Sequence, residues 1–185
     1  MPDPFHYYRR SLRLRKHHYA RGGVYFVTLC ARERECLFGE ITGVEMRLSD
    51  CGKIIRDEWL HTETTRPNVL LDAYVIMPNH IHGVIILTSG IAAEKRRPTW
   101  FNADLERARA AVPDSVAAVL TQFKSITTQR IRALTEARTQ TLWQDQHTEQ
   151  RIWSEQILER IREYIASNPT LWDQDENNPT VNLPN

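Results

Sequence analysis

The chain has 185 residues, of which 41% are apolar and 25% charged, with a formal net charge of +1 at pH 7. That length suits one domain with a sizeable core, and so many apolar residues with so little net charge exclude disorder as the main state. No apolar run approaches the ~20 residues of a membrane-spanning helix, and the basic N-terminus lacks the apolar stretch of a secretory signal. Three cysteines without a CxxC pair indicate a reducing cytoplasm rather than a disulfide framework.

The N-terminal stretch is basic and aromatic, and no acid stands between Asp3 and Glu33. Basic side chains contact nucleic-acid phosphates and aromatic rings stack on bases, so this arm is a candidate DNA-binding segment. The alternative is a solvated arm that binds nothing, and charge alone does not decide between the two. The candidate phosphate contacts are Arg9, Arg10, Arg13, Arg15 and Lys16.

The first predicted elements are a strand, a short hairpin and a helix. Residues 24–30 (VYFVTLC) are dense in β-branched and aromatic side chains, which favours a strand. Residues 36–48 contain Gly39 and Gly43 and predict a short hairpin or an irregular excursion. Ser49 is the expected N-cap of a helix that runs to about residue 62.

Two further strands and a loop follow. Residues 70–77 and 80–87 each predict a strand, and Pro78-Asn79 between them is typical of a turn, so the two strands form a hairpin. Residues 88–113 show no clear hydrophobic period and contain Gly90, Pro98 and Pro113, which predicts a mobile loop.

A long helix comes next, capped by Asp114 or Ser115 and extending to about residue 137. Lys124 and Arg130 lie off its apolar stripe and either line a DNA groove or are simply solvated. The residues after this helix, which include Trp143, are predicted to be a connector.

The last helix is capped by Ser154 and ends at Asn168-Pro169, because the residue before a proline avoids the helical region. The element order is therefore strand, helix, strand, strand, helix, helix. This order predicts an α+β fold, a ferredoxin-like antiparallel sheet with helices packed on one face.

His80 and His82 open the third predicted strand. Side chains alternate along a strand, so the two imidazoles point to the same face and can hold one divalent ion at the end of the sheet. Pairs with this spacing also occur as packed or hydrogen-bonded groups. A structural zinc completed by His61 or His147 is a further alternative.

Tyr164 and Asn168 are four residues apart, which places them on one helix face. Periodicity alone favours Tyr164 as an amphipathic aromatic of the core. A phenol is a poor nucleophile at its ordinary pKa of about 10, and it needs an electrophile polarised by a metal, or a base. The histidine pair and the tyrosine therefore make chemical sense together.

Residues 73–87 (AYVIMPNHIHGVIIL) resemble the His-hydrophobic-His segment of the HUH single-tyrosine transposases. Within that family the chain resembles the REP-associated tyrosine transposases, relatives of the small insertion-sequence transposases. The resemblance covers about Arg9 to Trp172, and its most specific part is MPNHIH with a downstream Tyr-Ile-x-x-Asn-Pro. Supporting segments occupy residues 9–30, 47–59, 119–131 and 158–172.

This resemblance implies an enzyme that binds single-stranded or hairpin DNA and uses Mg²⁺ or Mn²⁺ to polarise the scissile phosphate. The helical tyrosine attacks, leaving a 5′-phosphotyrosine link and a free 3′-hydroxyl that can later reverse the step. Carried onto this chain, His80 and His82 are metal ligands, Tyr164 is the nucleophile, and Asn168 is a third ligand or an orienting group. The family includes monomers and homodimers, so either state is expected.

The resemblance divides the chain into a basic arm (1–22), a transposase-like catalytic domain (23–172) and an acidic polar tail (173–185). One segment departs from the family pattern: within residues 147–153 (HTEQRIW), Gln150 and Trp153 stand where His and Arg are expected. Two other hypotheses remain open. One is a domesticated protein that binds hairpin DNA without cleaving it, and the other is a metal-binding domain with no DNA role.

Overall fold

The computed structural model describes residues 23–87, 115–135 and 141–181. The strands are β1 (Gly23–Cys30), β2 (Gly39–Thr42), β3 (Glu45–Leu48), β4 (Val69–Ile76), β5 (His80–Leu87) and β6 (Thr148–Ile152). The helices are α1 (Asp50–Thr65), α2 (Val116–Thr135) and α3 (Glu155–Ser167), with short 3-10 helices at Arg32–Arg34 and Asn168–Gln174. Within these ranges no helix is both long and apolar enough to cross a bilayer. The predicted loop at 88–113 lies outside the described residues.

Four strands form the main sheet, in the order β4-β5-β1-β6. Every neighbouring pair is antiparallel. Strand and helix order along the chain, together with this sheet order, give the ferredoxin-like arrangement, so the predicted antiparallel α+β fold is confirmed. The predicted hairpin before α1 is the separate pair β2-β3, which turns at Gly43, whose positive φ of 67° suits a residue without a Cβ.

The sheet contains one strand that the sequence analysis missed. Residues 148–152 were interpreted as part of a connector, but they pair with β1 as the edge strand β6. The segment reads TEQRI, and only Ile152 among its five residues is buried. A short edge strand needs little apolar surface, so it shows almost none of the hydrophobic pattern by which strands are predicted.

The helices occupy both faces of the sheet, which corrects the expectation that all of them pack on one. Helices α1 and α2 cover one face, where Trp59 and Phe123 pack with Tyr25, Leu29 and other apolar strand residues. Helix α3 covers the opposite face, where its apolar stripe packs with Phe26 and Val84. Strands β1 and β5 are apolar on both faces, because they are the two central strands and helices cover the sheet on each side.

Serines begin all three helices, as predicted for Ser49 and Ser154 and as one of two options for Ser115. The Ser49 hydroxyl accepts from the Gly52 N–H at 3.1 Å, Ser115 from the Ala118 N–H at 3.2 Å, and Ser154 from the Ile157 N–H at 3.3 Å. Each hydroxyl satisfies an amide that the first helical turn leaves without an intrahelical partner.

Helix α3 is fastened to β4 through a bulge. The register between β4 and β5 shifts between Leu71 and Tyr74, where β4 has one residue more than its partner. Asp72 lies in this bulge and accepts two hydrogen bonds from Arg162 of α3, at 2.8 and 2.7 Å. A bidentate pair of this kind fixes direction as well as distance. It therefore sets the orientation of the helix that carries Tyr164.

The chain after α3 folds back onto the sheet. Asn168, Asp175, Asn177 and Asn178 are buried, although the sequence analysis assigned residues from 173 onward to an acidic polar tail. The Asn177 carbonyl accepts from Asn79 at 2.7 Å, and the Glu176 carbonyl accepts from Arg34 at 2.6 Å. Residues 173–181 therefore pack as part of the domain.

Candidate metal and nucleophile site

His80 and His82 lie at the start of β5, on the face covered by α3. Their ring centroids are 4.5 Å apart, and both side chains are buried. Because side chains alternate along the strand, Ile81 and Ile85 lie on the other face of the sheet, where they pack beneath α1 and α2. The prediction that the two imidazoles share one face is confirmed.

Asp175 joins the histidine pair. Its Oδ2 lies 3.7 Å from His80 Nε2, and one ligand atom from each of the three residues lies within 4.8 Å of the others. Asn168 lies next to this group, where its Nδ2 donates to Asp175 Oδ2 at 3.5 Å. Two nitrogens and two oxygens that can coordinate a cation are therefore brought together from distant parts of the chain.

Two buried atoms of this group have no hydrogen-bond partner among the residues that the structure describes. They are His80 Nε2 and Asn168 Oδ1. Leaving buried polar atoms unpaired costs about 1–3 kcal/mol each, so such atoms are rare without a reason. His80 Nε2 lies 3.7 Å from the Asp175 carboxylate, which is another acceptor. An unpaired nitrogen beside a carboxylate fits a cation, and the mixed nitrogen and oxygen set suits a divalent metal.

Burial keeps both imidazoles neutral. Desolvation lowers the pKa of His80 to about 3, helped by the positive charge of Arg34, while the Asn168 side chain acts weakly in the other direction. The pKa of His82 is also well below its ordinary value, because of burial and then the neighbouring His80. A neutral imidazole can coordinate a cation without first losing a proton.

Tyr164 of α3 reaches the same place. Its hydroxyl oxygen lies 3.2 Å from His82 Nε2, and its ring packs edge-on against the His82 ring at a centroid distance of 5.3 Å. Phe26 stacks on the other side of His82, at 5.4 Å. The ring of Tyr164 thus packs beside the core, as periodicity predicted, while its hydroxyl faces the histidine pair.

No protein-family model matches the sequence. An uncharacterized protein of Haemophilus influenzae is 33% identical over 170 residues, which cover 92% of this chain and 93% of that protein. The chain belongs to the same family as that protein. Two solved structures resemble the fold. One is a REP-associated tyrosine transposase bound to a REP hairpin, with 19% identity and a TM-score of 0.49 over 83% of this chain and 70% of that one. The other is a candidate transposase from Deinococcus radiodurans, with 14% identity and a TM-score of 0.42 over 80% of this chain and 92% of that one.

The predicted DNA contacts lie on α2 or outside the described residues. The five basic residues of the arm, between positions 9 and 16, lie outside them. Lys124 donates to the carbonyls of Gln144 and Asp145 at 2.7 and 3.3 Å, and Arg130 pairs with Glu58 at 3.1 Å. Both basic residues belong to α2, on the sheet face opposite Tyr164.

The two histidines considered for a structural zinc lie elsewhere. His61 is exposed on α1 and contacts the Thr64 hydroxyl at 3.1 Å, and His147 lies 3.9 Å from Glu149. Among the described residues, it is Asp175 that joins the histidine pair.

Gln150 and Trp153 were the two residues that depart from the pattern of the resembled transposases. Trp153 is exposed, and the Arg151 guanidinium lies 4.4 Å from its ring.

Sequence reasoning missed three residues that contact the histidines: Thr28, Asn79 and Asp175. Thr28 Oγ1 lies 2.8 Å from His82 Nδ1. A signal for it existed, because Thr28 is polar at an inward position of an otherwise apolar strand, on the same face as Phe26. Asn79 was interpreted only as a turn residue. Asp175 stands in a polar stretch, where nothing in the sequence distinguishes it from Asp173.

Proposed function

We propose that this protein is a metal-dependent DNA transposase or endonuclease of the HUH single-tyrosine type. It would cleave and rejoin single-stranded DNA at hairpin-containing sites through a 5′-phosphotyrosine intermediate. One observation carries the proposal: the phenol oxygen of Tyr164 lies 3.2 Å from His82 Nε2, although the two residues are 82 positions apart in the chain. Core packing alone would not direct a hydroxyl toward a cluster of metal-ligating atoms.

The cation would be Mg²⁺ or Mn²⁺, held by His80 and His82 together with the oxygens of Asn168 and Asp175. Support comes from His80 Nε2 and Asn168 Oδ1, two buried atoms that no described residue pairs by a hydrogen bond. When bound, such an ion would polarise phosphate oxygens and ease the loss of the phenol proton. Imidazole and carboxylate ligands leave coordination positions free for a substrate phosphate.

The residues of the chain would then act as follows. Before a cation binds, the hydrogen bond to His82 Nε2 holds the Tyr164 oxygen at the edge of the site. A cation on that nitrogen would replace this hydrogen bond, and the Asp72–Arg162 pair would still fix the helix that carries Tyr164. The phenol oxygen forms a bond to phosphorus, the bond from phosphorus to the 3′-oxygen breaks, and that oxygen leaves as a hydroxyl. Attack by a 3′-hydroxyl on the phosphotyrosine reverses the exchange, so no nucleotide cofactor is consumed.

Single-stranded or hairpin DNA is the proposed partner. The basic arm, from Arg9 to Lys16, would contact backbone phosphates and position the strand. Lys124 and Arg130 are weaker candidates, because each is already engaged with a protein group. The described residues of one chain bring Tyr164, Asn168 and Asp175 to the histidine pair, which supports a protein that acts as a monomer, with a homodimer as the alternative.

The test is a search for a covalent adduct. The protein is incubated with single-stranded DNA that carries candidate hairpins, with Mn²⁺ or Mg²⁺, and separated in SDS. We expect a protein–DNA species that survives SDS. Tyr164→Phe should abolish this species and leave DNA binding unchanged, because only the attacking oxygen is removed. His80→Ala should weaken both adduct formation and metal binding.

Tyr74→Phe is the matched control. Tyr74 lies on β4 and packs near Trp59, in the core beneath α1 and α2. Its loss of a hydroxyl should leave the adduct intact. An adduct that forms equally well with Tyr164→Phe would refute the assignment of the nucleophile. Hairpin binding without any adduct would instead favour a domesticated hairpin-binding protein.

A further inference from the structure

Asn79, which directly precedes His80, is completely buried and uses its whole amide group. Its Nδ2 lies 2.9 Å from the Arg34 carbonyl and 2.7 Å from the Asn177 carbonyl. Its Oδ1 lies 2.9 Å from His80 Nδ1. The side chain thus joins three segments: the turn after β1, the start of β5 and the C-terminal segment.

The direction of these hydrogen bonds is fixed by counting donors and acceptors. A carbonyl oxygen only accepts, so both amide hydrogens of Asn79 must point to Arg34 and Asn177. The amide oxygen therefore faces His80, and it too can only accept. The Asp175 carboxylate at Nε2 also only accepts, but it lies 3.7 Å away, beyond hydrogen-bond distance, whereas the Asn79 oxygen lies 2.9 Å from Nδ1. His80 therefore carries its proton on Nδ1, and its Nε2 presents a lone pair toward Asp175.

His82 lacks such a constraint. Its Nδ1 faces the Thr28 hydroxyl at 2.8 Å, and its Nε2 faces the Tyr164 hydroxyl at 3.2 Å. A hydroxyl can donate or accept, so either tautomer of His82 satisfies both contacts. Of the two imidazoles, only His80 has its tautomer set by a group that cannot reverse its role.

We propose that Asn79 is a positioning residue that locks His80 in the Nδ1–H tautomer and thereby aims the Nε2 lone pair into the cation site. The role in cation binding rests on the proposed function, whereas the assignment of the His80 tautomer rests only on the hydrogen bonds of Asn79. Partners of this kind raise metal affinity by orienting a ligand before the ion arrives. The same amide also holds the segment that delivers Asp175, through the Asn177 carbonyl.

The tautomer is measured directly by NMR of the metal-free, ¹⁵N-labelled full-length protein, from the imidazole nitrogen shifts. We expect a protonated Nδ1 and an unprotonated Nε2 for His80 at neutral pH. Asn79→Ala removes the acceptor beside Nδ1 and should lose this pattern, whereas Asn68→Ala should keep it. A wild-type His80 with its proton on Nε2 overturns the proposal, whether or not any variant folds.

Metal affinity supplies the second readout, measured by calorimetry with Mn²⁺. Asn79→Ala should weaken binding by about 10–100-fold, the usual effect of removing a partner of a ligating histidine. Asn68 precedes β4 at the end of the sheet away from His80. Asn68→Ala should therefore bind Mn²⁺ as tightly as the wild type does. Equal affinity for Asn79→Ala and the wild type contradicts the proposal. An Nδ1–H tautomer without any DNA adduct would refute the proposed function and leave the role of Asn79 standing.

Discussion

The imidazole of His80 is buried where a positive charge is poorly tolerated. Burial and the nearby Arg34 lower its pKa from 6.5 to about 3. In the unfolded chain the same group takes up a proton near its ordinary pKa. Between these two values the unfolded state binds more protons, so acid destabilises the folded state.

The free energy of unfolding should therefore fall as the pH is lowered from about 6.5 toward 3, by up to about 1.4 kcal/mol per pH unit for this histidine. Urea unfolding in EDTA at pH 7, 6, 5 and 4 measures the slope. His80→Gln cannot titrate and should give a shallower slope than the wild type. Identical slopes would show that His80 is not held neutral in the folded protein.

Single residues of the site differ in how well the sequence predicts them. His80 and His82 were predictable, because strand alternation alone puts them on one face. Tyr164 and Asn168 were predictable as helix neighbours, but their approach to the histidines depends on how α3 lies on the sheet. Asp175 was not predictable, since its burial depends on a non-local chain path that no hydrophobic period marks.

Strand β5 packs against helix α1 at Gly83, where the Trp59 ring lies over the backbone. A Cβ at this position would overlap the six-membered ring of Trp59. Gly83→Ala should therefore lower the stability by about 1–3 kcal/mol, the usual cost of overpacking a core. Thermal unfolding followed by circular dichroism measures the change.

A double-mutant cycle with Trp59→Phe tests the cause. Phenylalanine is shorter than tryptophan and would leave room for the new methyl group. The cost of Gly83→Ala should then fall by at least about 0.5 kcal/mol in the Trp59→Phe background. An equal cost in both backgrounds would indicate backbone effects rather than a clash with this ring.

Local signals predicted the elements well where they were strong. Serine caps and apolar stripes indicated all three helices, and β-branched runs indicated the strands β1, β4 and β5. The edge strand β6 was missed because most of its side chains are polar. The face chosen by α3 was also missed, since an apolar stripe shows that a helix packs but not on which side of the sheet.

For the whole molecule, the C-terminal segment is the part that completes the site. Asp175→Asn keeps an oxygen for the Asn177 N–H, which Asp175 Oδ1 accepts at 2.7 Å, but removes the charge. This change should weaken Mn²⁺ binding by about tenfold or more, with little change in melting temperature. Calorimetry and thermal unfolding give the two values.

A chain that ends at Gln174 tests whether the C-terminal segment stabilises the fold in addition to supplying the ligand Asp175. It loses Asp175 and also the carbonyls that pair with Asn79 and Arg34. Leaving one of the two Asn79 amide hydrogens without its acceptor should cost about 1–3 kcal/mol, so this shortened chain should melt at a lower temperature than Asp175→Asn. Equal melting temperatures would mean that the segment adds a ligand but no stability.

The contacts of the C-terminal segment join residues far apart in the sequence, and this separation affects when they form during translation. The bond from Asn79 to the Asn177 carbonyl joins residues 98 positions apart, and Cys30 meets Asn177 across 147 positions. While residue 177 is still inside the ribosomal exit tunnel, the sheet can already have formed outside it, because proteins fold progressively during translation. The nascent protein can thus form its main sheet before Asp175 reaches the histidine pair, so a chain still held by the ribosome would lack one ligand of the proposed cation site.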